Sequence, residues 1–146
     1  MATSVDELDA HNQGLDGRRS IWSFVFSKMN SDIQYWIRIR YNEIEWYDFI
    51  HQGKTIEEEL IFLDDIIIDS PEALNIVLDL YNLKPGKNWA RGHHFNLWRG
   101  VDENGDILEG VLFGVTGFTE EGNFFRAQIN LTTGEVKGYD SGSQLQ

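Results

Sequence analysis

Apolar and polar residues alternate at the strand period in the first third of the chain. The alternation is clearest over residues 33–41, where one face carries only isoleucine and tyrosine: Ile33, Tyr35, Ile37, Ile39 and Tyr41. Residues 21–27 and 44–49 follow the same period, with turn-forming residues at 30–32 and 42–43 between the segments. Aromatic and β-branched residues at period two favour strands. The pattern therefore predicts an antiparallel meander of three strands.

A helix is predicted over residues 70–83. Ser70 can cap its first turn, and Pro71 then occupies the first helical position, where its missing N–H costs nothing. We expect the helix to end before Pro85, because a proline disfavours helical backbone at the residue before it. Apolar residues recur at the spacing of one helical face, at Ala73, Leu74, Val77, Leu78 and Tyr81. We expect this face to pack on strands that contain Phe95, Leu97, Val111, Phe113 and Ile129.

Strands are predicted to fill the chain after the helix. They lie at 93–101, 107–118 and 124–131 and around Val136, and the turns between them contain glycine. The order of helix, strand, strand, strand and strand is typical of an α+β protein, in which a helix covers an antiparallel sheet.

Two shorter segments are less regular. Residues 4–11 predict a short amphipathic helix with Ser4 as its cap. Residues 55–65 are ambiguous, although Thr55 with Glu58 fits a capping box and Ile56, Leu60 and Leu63 have helical spacing. Residues 66–68 are three isoleucines, which fit a short buried strand or an extended connector.

The predicted fold class is therefore α+β, with a curled antiparallel sheet, or two such sheets, and one helix covering each half of the chain. Residues 1–146 form a single compact domain in this interpretation. Its two related halves are 4–50 and 69–137, and residues 138–146, rich in Gly, Ser and Gln, form a flexible tail.

Composition excludes several classes of protein. The chain has 146 residues and no cysteine, which removes disulfides, thiolate catalysis and cysteine-ligated metal sites. No run of 18 apolar residues is present, so no membrane span is expected. Residues 1–17 lack the apolar core of a signal peptide, which predicts a cytoplasmic protein, whereas a trimmed mature form would be extracytoplasmic.

The charge is acidic and concentrated. The chain carries 24 acidic and 12 basic residues, a net charge of −12. Residues 41–80 hold eleven acids against Lys54 alone, so this segment accounts for −10 of the total. A polyanion would be repelled, which argues against direct nucleic-acid binding. Five of these acids form the candidate docking surface for a basic protein partner, or else a solubilising face: Glu57, Glu58, Glu59, Asp64 and Asp65.

Aromatic residues suggest a second candidate surface. The chain has five Trp, five Tyr and nine Phe. Trp36 shares a predicted strand face with Arg38 and Arg40, a composition favoured at protein interfaces. Cation–π packing on an open sheet face is the alternative.

The sequence contains no recognisable catalytic or metal-binding set. His93 and His94 are adjacent in a predicted strand, so their side chains point to opposite faces and cannot easily chelate one metal ion. The acidic cluster lacks the residue order of a calcium loop, and residues 102–106, which resemble the start of one, equally suit a hairpin turn. No nucleophile motif and no phosphate-binding loop occurs. We therefore expect a protein that is not an enzyme and has no metal and no cofactor.

Two short motifs in the second half carry a family resemblance. Residues 69–74, Asp-Ser-Pro-Glu-Ala-Leu, open the predicted helix, and residues 130–136, Asn-Leu-Thr-Thr-Gly-Glu-Val, close the predicted sheet. Together they resemble PepSY-like domains, which share a cystatin-like roll of helix and sheet. The resemblance covers about half of the chain and extends loosely to the first half, as a tandem pair. It implies a non-catalytic domain, often extracytoplasmic and linked to protease regulation or protein binding.

Three functions follow from these observations. The first is a non-enzymatic, PepSY-like domain that binds or regulates another protein. The second is an acidic immunity or antitoxin-type inhibitor, whose 41–80 segment neutralises a basic enzyme by imitating a nucleic-acid backbone. The third is a small-ligand or hydrolase domain with a cleft between sheet and helix, for which the sequence offers no catalytic set.

Overall fold

The structure is a computed structural model and describes residues 2–4, 13–87, 91–102 and 104–140. It is an α+β fold, as predicted. The helix α1 is Ser70–Tyr81, and two single-turn 3-10 helices lie at Glu57–Glu59 and Leu63–Asp65. The strands of the described residues are β1 Ala2–Ser4, β2 Ile21–Ser27, β3 Ile33–Arg40, β4 Glu43–His51, β5 His94–Trp98, β6 Leu112–Phe118, β7 Phe124–Asn130 and β8 Val136–Asp140.

The strands form two antiparallel meanders, which we call the wing (β2–β4) and the core meander (β5–β8). The short strand β1 pairs with β2 on one side and with β5 on the other. Its pairing joins the meanders into one sheet of order β4-β3-β2-β1-β5-β6-β7-β8. Both halves of the chain therefore contain a meander, as expected.

The expectation of one helix per half is not met in the described residues, where α1 alone is an α-helix. Ser4, the predicted cap of a first-half helix, lies in β1 and pairs with Phe95. Residues 5–12, the rest of that predicted helix, lie outside the described residues.

Helix α1 begins and ends close to the predicted positions. Its N-cap is Asp69 rather than Ser70, because the Asp69 carboxylate accepts a hydrogen bond from the Glu72 N–H at 2.9 Å. The helix ends at Tyr81, two residues earlier than predicted. Asn82 there adopts a left-handed conformation (φ 49°) and donates its N–H to the Leu78 carbonyl.

The hydrophobic core lies between α1 and the core meander, as the helical spacing predicts. Leu74 and Val77 are fully buried, and α1 lies against β6 and β7. Leu78, Tyr81 and Leu97 pack at the margin of this core and are partly buried. The buried hydrophobic residues of the core are Ala73, Leu74, Val77, Leu83, Phe95, Val111, Phe113, Val115, Ala127, Ile129 and Leu131.

Glycine and turn chemistry move several predicted strand ends. The β3–β4 turn is Tyr41–Asn42, one residue earlier than predicted, because both residues take positive φ (50° and 67°) as a two-residue hairpin turn requires. The strand predicted at 107–118 begins only at Leu112, since Gly110 before it has φ +84° and a Cβ at this position would lie 2.4 Å from the Asn130 side chain. The predicted 93–101 strand shortens to β5.

The segment between β4 and α1, residues 52–69, is a connector that contains no α-helix and no strand. Thr55 does not cap a helix; it is buried and its hydroxyl bonds the Ser27 hydroxyl at 2.6 Å. The two 3-10 turns follow, and residues 66–68 then have no regular secondary structure, so the predicted short strand is not formed. Ile67 and Ile68 both donate their N–H groups to the Leu131 carbonyl.

The end of the sheet extends into the predicted tail. Strand β8 runs to Asp140, which pairs with Phe125, so residues 138–140 are strand. Residues 141–146 lie outside the described residues.

Candidate functional site

The register of the wing places its apolar side chains on one face, here called face A. Face A is the side of the sheet that α1 covers, because Trp22 stacks on Phe95, a fully buried residue of the α1 core. In the wing this face continues far beyond the helix, and Tyr47 and Phe49 on β4 are 73% and 54% exposed. The face A residues of the wing include Trp22, Phe24, Phe26, Tyr35, Ile37, Ile39, Ile44, Tyr47 and Phe49.

The opposite face of the wing, face B, carries the predicted Trp and Arg surface. Trp36 and Trp46 are 41% and 42% exposed. Arg38 and Arg40 share their face with Trp36, as the alternation predicts. Both guanidinium groups contact Glu45, with Nε–carboxylate distances of 3.0 and 2.9 Å.

Glu45 reaches both arginines because of a β-bulge. The register between β3 and β4 shifts between Arg38 and Ile39, which leaves Glu45 as the extra residue on β4. The two positive charges of the wing face are therefore already paired within the sheet. What remains exposed on face B is aromatic surface, together with the acidic residues Glu43 and Asp48.

The predicted acidic cluster divides into two parts. Glu57, Glu58 and Asp64 are exposed, and none forms an ion pair within the described part of the chain. Glu59 accepts a hydrogen bond from the Ile56 N–H at 3.3 Å, closing its own turn. Asp65 is less exposed and pairs with Arg99.

Arg99 makes Asp65 part of the internal architecture. Its guanidinium also donates to the carbonyls of Leu60 and Gly110, each at 2.9 Å. The Asp65 carbonyl accepts the Thr132 hydroxyl at 2.6 Å. These bonds tie the connector to the core meander, so Asp65 is held by the fold while Glu57, Glu58 and Asp64 face solvent.

A cleft of about 650 Å³ lies between the wing and the connector. The Ser27 and Thr55 hydroxyls in its wall bond each other. The lining is largely apolar and consists of Phe24, Val25, Phe26, Ser27, Gln34, Trp36, Gln52, Thr55, Glu59, Leu60, Ile61, Leu63, Ile66 and Leu97. Glu59, its one ionisable residue, accepts a hydrogen bond from Ile56, and no base–nucleophile pair lies in the described lining.

The adjacent histidines are buried beside an arginine. Arg19 donates from Nε to the His93 carbonyl at 3.0 Å, and its Nη2 lies 3.3 Å from His94 Nδ1. The pKa of His93 is lowered to about 4, chiefly because burial disfavours the charged ring; a hydrogen bond to the Thr116 backbone acts in the opposite direction, and the charges of Arg19 and His94 add to the lowering. Among the described residues no group of three or more His, Cys, Asp or Glu side chains is placed to hold a metal ion.

Trp98 has a different arginine partner from the one adjacent in sequence. The Arg126 guanidinium lies 4.6 Å from the centre of a Trp98 ring, over Gly114. Arg99, the sequence neighbour, bonds the connector instead.

Two features of the wing were not found from the sequence: the exposure of face A and the position of β4 as an edge strand. Alternation identifies which residues share a face, and it does not say what covers that face. The signal that was present is the run of large apolar residues on three consecutive strands, more than one helix can cover.

Comparison of the chain with known protein families, with curated proteins and with solved structures found no match. Within the described residues, no helix is long and apolar enough to cross a membrane.

Proposed function

We propose that the protein is a non-enzymatic protein-binding domain and that it binds its partner through the wing. The observation that carries this proposal is the exposure of Tyr47, Phe49 and Trp46 on the two faces of one outer strand. Large contiguous apolar patches on a soluble protein mark interaction sites, and Trp and Tyr dominate the energetics of such sites.

The two halves of the sheet support this proposal by contrast. In the core meander, face A is buried beneath α1, with residues such as Phe113 and Ile129 almost inaccessible. In the wing, the same face keeps Phe26, Tyr35 and Tyr47 about half or more exposed. A partner that covers the wing would bury the apolar surface that α1 buries elsewhere, and this burial is the main favourable term in association.

A PepSY-like relationship remains part of the proposal for the second half. Helix α1, opened by the Asp69 cap, is followed by four antiparallel strands, and the chain turns at residues 132–135 before β8. This order agrees with the helix and sheet that the resemblance implies. It supports a regulatory or binding role for the domain.

An acidic inhibitor of a basic enzyme is the second candidate. The observation in its favour is that Glu57, Glu58 and Asp64 are exposed and make no ion pair with any residue that the structure describes. Unpaired surface charges accelerate association with an oppositely charged partner, and the acceleration depends strongly on salt.

The proposal is tested by capturing partners from the source cell with the full chain and then measuring the affinity of the captured, purified protein. The wing variant is Tyr47→Thr with Phe49→Thr, which keeps β-forming residues on β4. Its matched control is Tyr139→Thr on β8, the other outer strand, where the tyrosine is 49% exposed. We expect the wing variant to lose at least tenfold in affinity and the control to bind like the parent chain.

A third variant separates the two candidates. Replacing Glu57, Glu58 and Glu59 by Gln removes three charges and keeps an oxygen that can accept the Ile56 N–H. A lower association rate at low salt, with the wing variant unaffected, would favour the acidic inhibitor. Unchanged affinity in the wing variant contradicts binding through the wing.

A further inference from the structure

The sheet has two outer strands, and they differ in kind. β8 has five residues and includes Lys137, and a lysine on an edge strand discourages pairing with another chain. β4 has nine residues, no lysine and no proline, and all of them except Ile50 are exposed. Of the two edges, β4 is the one suited to pair with a further strand.

The register identifies which backbone groups of β4 point away from the sheet. The Gln52 N–H donates to the Asp32 carbonyl at 2.7 Å, so this pair is hydrogen-bonded across the ladder. Hydrogen-bonded and non-hydrogen-bonded pairs alternate in an antiparallel ladder. Ile50 and Asp48 therefore bond towards β3, and the N–H groups of Tyr47, Phe49 and His51 point outwards.

One of these outward groups is already occupied. The Asp48 carboxylate accepts the Phe49 N–H at 2.8 Å. The side chain thus lies along the edge at the position that the carbonyl of an added strand would take. A strand can pair there only if the carboxylate moves to another partner.

We propose that β4 accepts an extended, basic segment of the partner protein as an added antiparallel or parallel strand. This inference rests on the proposed function and names its mode of binding. A lysine or arginine of the segment pairs with Asp48 and draws the carboxylate off the Phe49 N–H. A backbone carbonyl of the segment then accepts that N–H, so the edge opens to basic strands and stays closed to others.

Charge and alternation both favour this occupant. Glu43 and Asp48 are exposed acidic residues of β4, whereas the nearest arginines, Arg38 and Arg40, are paired with Glu45. The neighbouring side chains on face A, Tyr47 and Phe49, are apolar. A matching strand therefore alternates basic residues on face B with apolar residues on face A, and main-chain bonds supply affinity while the side chains supply specificity.

The test uses a ten-residue synthetic peptide of alternating lysine and valine, with an alternating glutamate and valine peptide as the charge control. Binding to the full, isotope-labelled chain is followed by NMR. We expect the basic peptide to slow amide exchange at Tyr47, Phe49 and His51 and the acidic peptide to leave it unchanged.

The decisive variant is Phe49→Pro, compared with Phe49→Val. Proline removes an N–H that makes no bond to β3, so the edge position tolerates it. Valine keeps the N–H while it removes the same aromatic ring. We expect the proline variant to bind the basic peptide at least tenfold more weakly than the valine variant. Tyr47→Pro against Tyr47→Val repeats the comparison if Phe49→Pro does not fold.

Asp48→Asn tests the role of charge separately. Asparagine keeps an oxygen that can accept the Phe49 N–H and removes the attraction to lysine. We expect a severalfold loss of affinity for the basic peptide and a weaker dependence on salt.

The outcomes separate this inference from the proposed function. Equal binding of the basic peptide to the proline and valine variants, or no change in exchange at the three amides, overturns strand addition. In either case, weaker partner binding by Tyr47→Thr with Phe49→Thr would still support the wing as a surface of side chains. If the proposed function is wrong, the variant Tyr47→Thr with Phe49→Thr would instead bind the partner with unchanged affinity.

Discussion

The indole ring of Trp22 stacks on the phenyl ring of Phe95, with ring centroids 6.3 Å apart. Phe95 stacks in turn on Phe113 at 5.2 Å inside the core. On the other side, Trp22 stacks on Phe24 at 6.0 Å, and Phe24 on Phe26 at 5.7 Å. The five rings therefore form a row that follows β2 in the wing and then continues to β5 and β6 in the buried core, and it is a side-chain link between the two meanders.

Trp22→Ala should loosen the wing more than the core. The change removes the ring at the middle of the row, and we expect a loss of about 1–3 kcal/mol, less than for a fully buried Trp because Trp22 is only partly buried. Amide exchange should accelerate in β2–β4 more than in β6 and β7. Trp22→Phe keeps a ring there and should retain most of the protection. Equal acceleration in both meanders would contradict this role of the row.

Leu74→Ala should destabilise the whole domain. Leu74 is fully buried between α1 and the core meander, so the truncation leaves a cavity and costs about 2–5 kcal/mol in the free energy of unfolding. Leu80→Ala on the same helix is the control, because Leu80 is 60% exposed, and should change the free energy by less than about 0.5 kcal/mol. Denaturant unfolding measures both. Comparable losses of stability at the two positions would show that the buried face of α1 has been assigned incorrectly.

Arg99→Lys should detach the connector from the core meander although it keeps the charge. Lysine cannot reproduce the planar fork that bonds Leu60, Gly110 and Asp65 together. We expect a loss of about 1–3 kcal/mol, since two partly buried carbonyls lose donors. A double-mutant cycle with Asp65→Asn separates the ion pair from the two carbonyl bonds. A lysine variant as stable as the parent would show that the carbonyls find other donors.

Stability should fall with acidification through the range in which His93 is protonated only in the unfolded chain. Its pKa is lowered from 6.5 to about 4 on folding, because burial disfavours the charged ring. The unfolded chain therefore binds more protons between these values, so the contribution of His93 to stability is greatest above pH 6.5 and is lost towards pH 4. At about 1.4 kcal/mol per pKa unit, the loss reaches about 3 kcal/mol.

His93→Gln is the variant that isolates this contribution. Its unfolding free energy should fall less steeply between pH 6.5 and 4 than that of the parent chain. Parallel slopes in the parent and His93→Gln chains would assign the acid sensitivity to other groups.

Local chemistry explains which elements were predictable from the sequence. Residues 69–81 contain a proline, two residues suited to cap a helix and an apolar helical face, and β3 alternates without a break. Asp69 and Ser70 are both good caps at adjacent positions. The sequence therefore predicts the helix but does not decide which of the two residues caps it.

Long-range contacts explain what the sequence left open. The residues next to Ser4 in the sequence favour Ser4 as a helix cap, yet its backbone pairs with Phe95 in the sheet. Arg38 and Arg40 were predicted to lie on a partner surface or to pack on aromatic rings of an open sheet face, but a bulge that no local pattern indicates brings Glu45 to both. The division of the acidic cluster likewise depends on Arg99, more than thirty residues away from Asp65.

Strand β1 gives the domain a seam with its own consequence for folding kinetics. Each hairpin of the wing and of the core meander joins strands that are neighbours in sequence, whereas β1 joins residues 2–4 to residues 95–97. Closing a loop of that length costs more chain entropy than closing a hairpin, although the cost grows only logarithmically. The two meanders can therefore assemble from local contacts, and the three-residue seam between them should be among the slowest parts of the sheet to form.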